Sequence, residues 1–340
     1  MGNRMVIGVR SPGEKGGFGK YHAARLAERD DTDTLFVTRT NYDAAVRTAE
    51  EIKDGSCRAS DVVGVKISTP RNLRKFLENE EVDFISIAAK RPVEDGDSIH
   101  EEYLQCALEN SKGRVFVDKP YKHPTGDESN LAFLRKLSKN PAGSRVSMNM
   151  PAYLGMHELL KQVPKVRSII GNAGEMDVFW GVNNHGKPHV GSNLGTHALE
   201  APASVYKNGV ITKSTGHEGD YAVVDAEYSK PDGNSCKCRI YLSHNFPFRG
   251  FKMGKYGIIV ETEKIDGDFW DVFYEAKMSS DCIGFEKPVT SRAYTKSDVP
   301  LIKLNNPLRT MISAAIEGHA YYGVDKMLRS QEMLEDMYSF

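Results

Sequence analysis

Asn193 and His197 stand four residues apart in the stretch Asn193-Leu194-Gly195-Thr196-His197-Ala198-Leu199-Glu200. A helix there would put both side chains on one face. An imidazole titrates near neutrality and suits a general acid or base, although a lone histidine in a helix is also an ordinary packing residue. Lys119 follows the apolar run RVFV and Asp118 and precedes Pro120. An ammonium held at that point can stabilise a developing alkoxide or polarise a carbonyl; a strand-end lysine with no chemistry is the alternative. The third segment is Ser11-Pro12-Gly13-Glu14-Lys15-Gly16-Gly17-Phe18-Gly19. Glycines between a strand and a helix let backbone amides approach a pyrophosphate at the helix N-terminus. The spacing is irregular: the G-x-G-x-x-G register that ends at Gly19 puts Glu14 at the first glycine, with Gly13 one residue early. A flexible surface turn is the competing reading.

These segments need elements to position them. RMVIGV, residues 4–9, reads as a strand buried on both faces, directly before the glycine loop. A helix KYHAARLAERDD follows, then the strand LFVTR and the helix NYDAAVRTAEEIKDG. Strand and helix signals keep alternating through Val62–Ile67, RNLRKFLENE, VDFISIAA, HEEYLQCALEN, RVFVD, DESNLAFLRKLSKN and RVSMNM. Alternation of this kind requires parallel strands with crossover helices, a doubly wound sheet. Thr38-Arg39 then falls at the end of the second strand, where an NAD site wants an acid for the ribose hydroxyls. Arg39 can instead pair with a 2′-phosphate, which favours NADP over NAD; a solvated arginine is the plainer reading, and Asp43 is close in sequence.

The pattern changes near Pro151. About seven β-rich runs follow, including GEMDVFWGVN, YAVVDAEYS and CKCRIYLSHNF, separated by turn residues. They predict a mostly antiparallel open sheet. THALEAPASVYKN interrupts them as a helix, and one long amphipathic helix is predicted from about Leu308 to Leu328. The expected organisation is α/β throughout: an N-terminal Rossmann domain over residues 1–150, and over 151–340 an α/β domain for substrate binding and oligomerisation, with its last helix able to pack back on the first domain.

With Lys+Arg 45 against Asp+Glu 46 there is no broad cationic surface to neutralise phosphates, which argues against a nucleic-acid partner. No apolar run approaches the ~18 residues that span a bilayer, and no secretory leader is recognisable, so a cytoplasmic chain with no membrane partner is expected. The cysteines, Cys57, Cys106, Cys236, Cys238 and Cys282, are odd in number and sparse, which fits reduced thiols. Cys236 and Cys238 lack a second ligand pair at zinc spacing, so no metal is expected. His185 and His189 read as loop residues, while Asn245 and Arg249 could approach a pocket from the sheet.

Four features in fixed order, GGFGKYHA, VDFISIAA followed by His100, VFVDKP and NLGTHALE, resemble the Gfo/Idh/MocA oxidoreductase family. Its E-K-P signature is matched by Asp118-Lys119-Pro120, and its D-x-G-x-H-x-x-D helix by Asn193, Gly195, His197 and Glu200. GKYGIIVE is similar to a further strand turn of the family. The resemblance implies a Rossmann domain, an open-sheet domain that often mediates assembly as a homodimer or homotetramer, and hydride transfer to or from NADP or NAD. It implies cofactor contacts at Gly13, Gly16, Gly17, Phe18, Gly19, Thr38, Arg39, Ala88, Ala89, His100, Asp118, Lys119 and Pro120. It also implies that Lys119 contacts the reacting hydroxyl while His197, with Asn193 beside it, serves as acid or base. Asn193 stands where the family has an aspartate, and an amide supplies neither charge nor an exchangeable carboxyl proton. Lys90 and Arg91, in an expanded loop, could meet phosphates or an anionic substrate.

The expected activity is an NAD(P)-dependent oxidoreductase acting on a sugar, cyclitol or related small molecule. An NAD-dependent glycosidase of the same fold and a non-catalytic dinucleotide-binding sensor are the competing functions.

Overall fold

The computed structural model describes residues 1–8, 19–89, 99–119, 121–162, 164–181, 189–206, 208–244, 249–253, 256–265, 271–279 and 307–340. The chain begins with six parallel strands, β1 (Gly2–Ile7), β2 (Thr32–Arg39), β3 (Asp61–Lys66), β4 (Phe84–Ile87), β5 (Arg114–Val117) and β6 (Val146–Met148). Between them run α1 (Gly19–Ala27), α2 (Tyr42–Lys53), α3 (Pro70–Leu77), α4 (Ile99–Asn110) and α5 (Ala132–Ser138). The sheet order is β3-β2-β1-β4-β5-β6. That order reverses direction between β1 and β4, the topological switch point at which doubly wound sheets open a crevice. Local chemistry starts the helices as the residue types require. Asn41 caps α2 by accepting from the Ala44 amide at 3.1 Å, and Thr69 caps α3 with Pro70 at its first turn.

Two helices not expected from the sequence, α6 (Pro151–Gln162) and α7 (Pro164–Asn172), lead into the second sheet. Its strands are β7 (Glu175–Gly181), β8 (Gly209–Thr215), β9 (Tyr221–Ser229), β10 (Ser235–Ser243), β11 (Arg249–Met253), β12 (Tyr256–Ile265) and β13 (Asp271–Ser279), in the order β13-β12-β11-β7-β10-β9-β8. Among the described residues of this sheet only the β7/β10 pair is parallel. A π-helical turn, Gly191–Gly195, continues directly into α8 (Thr196–Ala203), which covers the inner face of this sheet.

The predicted long C-terminal helix is instead two, α9 (Pro307–Glu317) and α10 (Val324–Tyr338). Gly318 separates them with φ +87°, a left-handed conformation that side-chain-bearing residues rarely adopt. Both helices contribute to the first core across the break. Met311, Ile312 and Ala315 of α9 join the first core, with Tyr322, Val324 and Met327, and the Met148 amide donates to the Tyr322 carbonyl at 2.8 Å. Met333, Leu334 and Met337 of α10 lie in the second core with Trp180, Leu199 and Tyr228. One helix therefore belongs to both cores. No helix among the described residues is long and apolar enough to cross a membrane.

Candidate functional site

The crevice at the switch point is lined by small residues and closely packed backbone. Gly8, the residue after β1, has φ +86°, and a Cβ there would lie 2.4 Å from Ala89 Cα. Its amide donates to Thr38 Oγ1 at 3.3 Å, and the Ala88 amide donates to the Ile7 carbonyl at 2.9 Å. Thr38, Ala88 and Ala89 are thus gathered at the carboxyl ends of β2 and β4, with Arg39, the last residue of β2, half-buried beside them. Gly19 opens α1 and is buried; His100 lies in the first turn of α4. A dinucleotide fits this cradle: the strand ends are stripped of bulk where a pyrophosphate must approach backbone, and a cationic side chain terminates the second strand. Gly13, Gly16, Gly17, Phe18 and Pro120 lie outside the described residues, as do Lys90, Arg91, His185 and Asn245.

A residue not singled out in the sequence sits beneath the crevice. His22, three positions into α1 after Gly19, is fully buried, shares a 2.6 Å hydrogen bond between Nδ1 and Ser86 Oγ, and packs against Phe116 with ring centroids 5.5 Å apart. Burial lowers its pKa, opposed by the charge of Asp118. Its spacing from the glycines was the available signal.

Asp118 and Lys119 leave the carboxyl end of β5. Asp118 is buried; its amide donates to the Ile87 carbonyl at 2.8 Å and its Oδ1 accepts from Asn149 Nδ2 at 3.0 Å. This ties the segment to β4 on one side and to the end of β6 on the other. Lys119 is half-buried. Asn193 lies in the π-helical turn, and His197 occupies the first turn of α8. Such π turns recur at functional sites. The His197 ring stacks on Trp180 of β7, with centroids 6.2 Å apart and planes at 26°. Its Nδ1 is buried without a hydrogen-bond partner among the described residues. Burial, then the charges of Lys119 and Arg249, hold its pKa well below the ordinary 6.5. The charges of Lys119, just past β5, and of Arg249 on β11 thus both disfavour the protonated imidazole of His197.

The last helix holds this region together. Glu200, one turn beyond His197 and completely buried, binds Arg329 of α10 through Nη2–Oε2 at 2.5 Å and Nε–Oε1 at 3.3 Å. Burial raises the Glu200 pKa and Arg329 opposes that shift. Glu335, further along α10, accepts from the amides of Thr125 and Gly126 at 2.9 Å each and from Asn130 and Gln331 side chains. The Ser192 amide, in the π-helical turn, donates to Tyr338 Oη at 3.0 Å. One helix thus grips the chain just past Lys119 and both turns that lead to and follow His197. Sequence offered no signal for these pairings.

Of the remaining sequence candidates, His189 and the cysteines lie away from His197, whereas Arg249 stands over the Trp180 ring that stacks on it. His189, with φ +60°, packs against His123 at 5.6 Å between ring centroids. Cys236 and Cys238 are buried in the second core with their sulfurs 3.9 Å apart. Arg249 opens β11, and its Nε donates to the Gly181 carbonyl at 3.0 Å.

No family model and no curated protein matches the sequence. Solved structures match in fold. The UDP-N-acetylglucosamine 3-dehydrogenase GnnA from Acidithiobacillus ferrooxidans is similar over 98% of this chain and 95% of its own, at 16% identity and TM-score 0.59. An NAD binding oxidoreductase from Klebsiella pneumoniae covers the same shares at 12% identity and TM-score 0.59. KijD10, a 3-ketoreductase from Actinomadura kijaniata in complex with NADP, does so at 13% identity and TM-score 0.56. The α/β fold of this chain, a parallel six-stranded sheet followed by a mixed seven-stranded one, matches these structures.

Proposed function

We propose that the chain is an NAD(P)-dependent oxidoreductase of the Gfo/Idh/MocA type, acting on a hydroxyl or carbonyl carbon of a sugar, cyclitol or related molecule. The observation that carries this reading is the placement of Lys119 just past β5, at the edge of the dinucleotide crevice, where its charge acts on the half-buried imidazole of His197 stacked on Trp180. In this reading residues 1–150 hold the dinucleotide and residues 151–340 hold the substrate and mediate assembly as a homodimer or homotetramer. Gly19, Thr38, Arg39, Ala88, Ala89, His100 and Asp118 line the dinucleotide site, with Gly13, Gly16, Gly17, Phe18 and Pro120 contributing from adjoining segments. The similar fold of a sugar-nucleotide dehydrogenase and a ketoreductase supports a carbohydrate-like substrate.

The nicotinamide, when bound, supplies the hydride acceptor or donor. In oxidation, His197 takes the hydroxyl proton while the Lys119 ammonium stabilises the developing alkoxide in a poorly solvated site. In reduction the same two groups polarise the carbonyl and return the proton. Asn193 stands where the family has an aspartate, and an amide adds no charge at that position.

A lowered pKa keeps His197 deprotonated to lower pH. In alcohol oxidation kcat/KM is therefore expected to stay level as pH falls through 6.5 and to drop only below it, which a profile between acidic and mildly alkaline buffers measures. An acid limb centred at or above 6.5 would remove His197 from the base role.

The reading is tested first by fluorescence titration with NADH and NADPH. Arg39→Ala is expected to weaken NADPH by about tenfold or more and leave NADH nearly unchanged, the loss of a charge-assisted contact to the 2′-phosphate. Unchanged NADPH affinity would refute the NADP preference, and failure to bind either dinucleotide would refute the enzyme.

A further inference from the structure

Four segments far apart in the chain meet at the end of α10. His123 lies just after the Lys119 segment, His189 just before the π-helical turn, His217 in the hairpin between β8 and β9, and Tyr338 in the last turn of α10. Between ring centroids, Tyr338 stands 4.3 Å from His217 and 5.9 Å from His123, and His123 stands 5.6 Å from His189, edge to face. The Tyr338 hydroxyl accepts from the Ser192 amide, and the hairpin holds the residues just before it: the His189, Val190 and Gly191 amides donate to the carbonyls of Glu218, Gly219 and His217 at 2.7, 2.9 and 2.9 Å. Gly191 is enclosed so closely that a Cβ there would lie 2.8 Å from Met337 Cε and 2.9 Å from His217 Cβ. The turn that carries Asn193 and His197 therefore rests on Tyr338 and on this hairpin.

The cluster favours a neutral His123. Burial and the neighbouring His189 lower its pKa, opposed by Glu335 and Glu218. Glu335 already serves the Thr125 and Gly126 amides, and Lys122, next to His123 in the chain, turns to Glu101 at 3.6 Å. His189 Nδ1 is buried with no hydrogen-bond partner among the described residues, and His217 Nδ1 shares a hydrogen bond with Ser214 Oγ at 3.3 Å. A histidine whose packed surroundings disfavour the proton binds it better once those surroundings part. The stability of this contact is therefore complete above the ordinary histidine value of 6.5 and is lost as pH falls from there towards the lowered value. We propose that His123, His189, His217 and Tyr338 form a proton-released latch on the turn that carries His197: with His123 neutral, Tyr338 seats the Ser192 amide, and protonation of His123 parts the cluster and frees the turn. The latch acts whatever the site turns over, so its test needs no substrate.

Amide hydrogen exchange of the intact protein, read by mass spectrometry in peptides covering residues 189–197, is compared at about pH 7.5 and about pH 5.5, either side of the histidine range, after correction for the intrinsic rate. Protection of this segment is expected to fall by about tenfold or more at the lower pH, the equivalent of one hydrogen bond, while that of β10 is retained. His123→Phe keeps a ring against Tyr338 and His189 but takes no proton, and is expected to keep the segment protected at both pH values. If His123→Phe does not fold, His123→Gln removes the same titration and carries the same expectation. Tyr338→Phe keeps the ring, loses the acceptor for the Ser192 amide, and is expected to lower protection by about tenfold already at the higher pH. Unchanged protection of the wild type at the lower pH, a loss that β10 shares, an equal loss in the His123 variant that folds, or full protection in Tyr338→Phe would overturn the proposal.

Discussion

Lys119→Ala is expected to lower turnover by about 10²- to 10³-fold, while dinucleotide affinity changes by a few-fold at most. The first magnitude is that of removing one donor aimed at a developing oxyanion in a water-poor site. The second follows from the placement of the cradle: Gly8, Thr38, Ala88 and Ala89 at the ends of β1, β2 and β4 form it without Lys119. The Asp118 backbone remains pinned to Ile87, so the loss of the side chain does not unravel the edge. Steady-state kinetics beside a fluorescence titration measures both quantities. Equal, small effects on turnover and binding would remove Lys119 from the chemistry.

Arg329→Met is expected to destabilise the protein by about 3 kcal/mol, because it leaves the buried Glu200 carboxylate without its guanidinium, with only the Tyr322 hydroxyl and the more distant charge of Lys326 to stabilise it. Adding Glu200→Gln should restore most of that loss, since an amide needs no counter-charge. The expected order in urea midpoint is wild type, then the double variant, then Arg329→Met. A loss below about 1 kcal/mol in the single variant would mean that the pair is an ordinary surface contact. The same single variant is expected to lose kcat, because Glu200 and His197 share α8 and Arg329 sets where that helix lies.

These two positions mark different limits of local reasoning. Lys119 was legible because β-branched runs alternating with helices leave little choice but a parallel sheet, and the residue after such a strand faces the ligand edge. The helices α6 and α7 were not legible, because Pro151 reads as a boundary between patterns, although it and Pro164 each stand at a helix start, where a missing amide costs nothing. The single long C-terminal helix failed for the converse reason. Its apolar period runs on through Gly318, and only the left-handed turn at that glycine breaks it into two helices that both pack on the first core, while α10 runs on to Met333 in the second.

By itself the sequence determined the α/β architecture, the parallel first sheet, the mainly antiparallel second one and the candidates Lys119 and His197, because periodicity, turn residues and spacing are local properties of the chain. Only the tertiary structure decided that Lys119 and Arg249 act on His197, that Trp180 stands between an imidazole and a guanidinium, and that Arg329, Glu335 and Tyr338 of the last helix clamp the surrounding turns. Those contacts join residues far apart in the chain through burial and charge, and neither leaves a pattern that one segment carries alone.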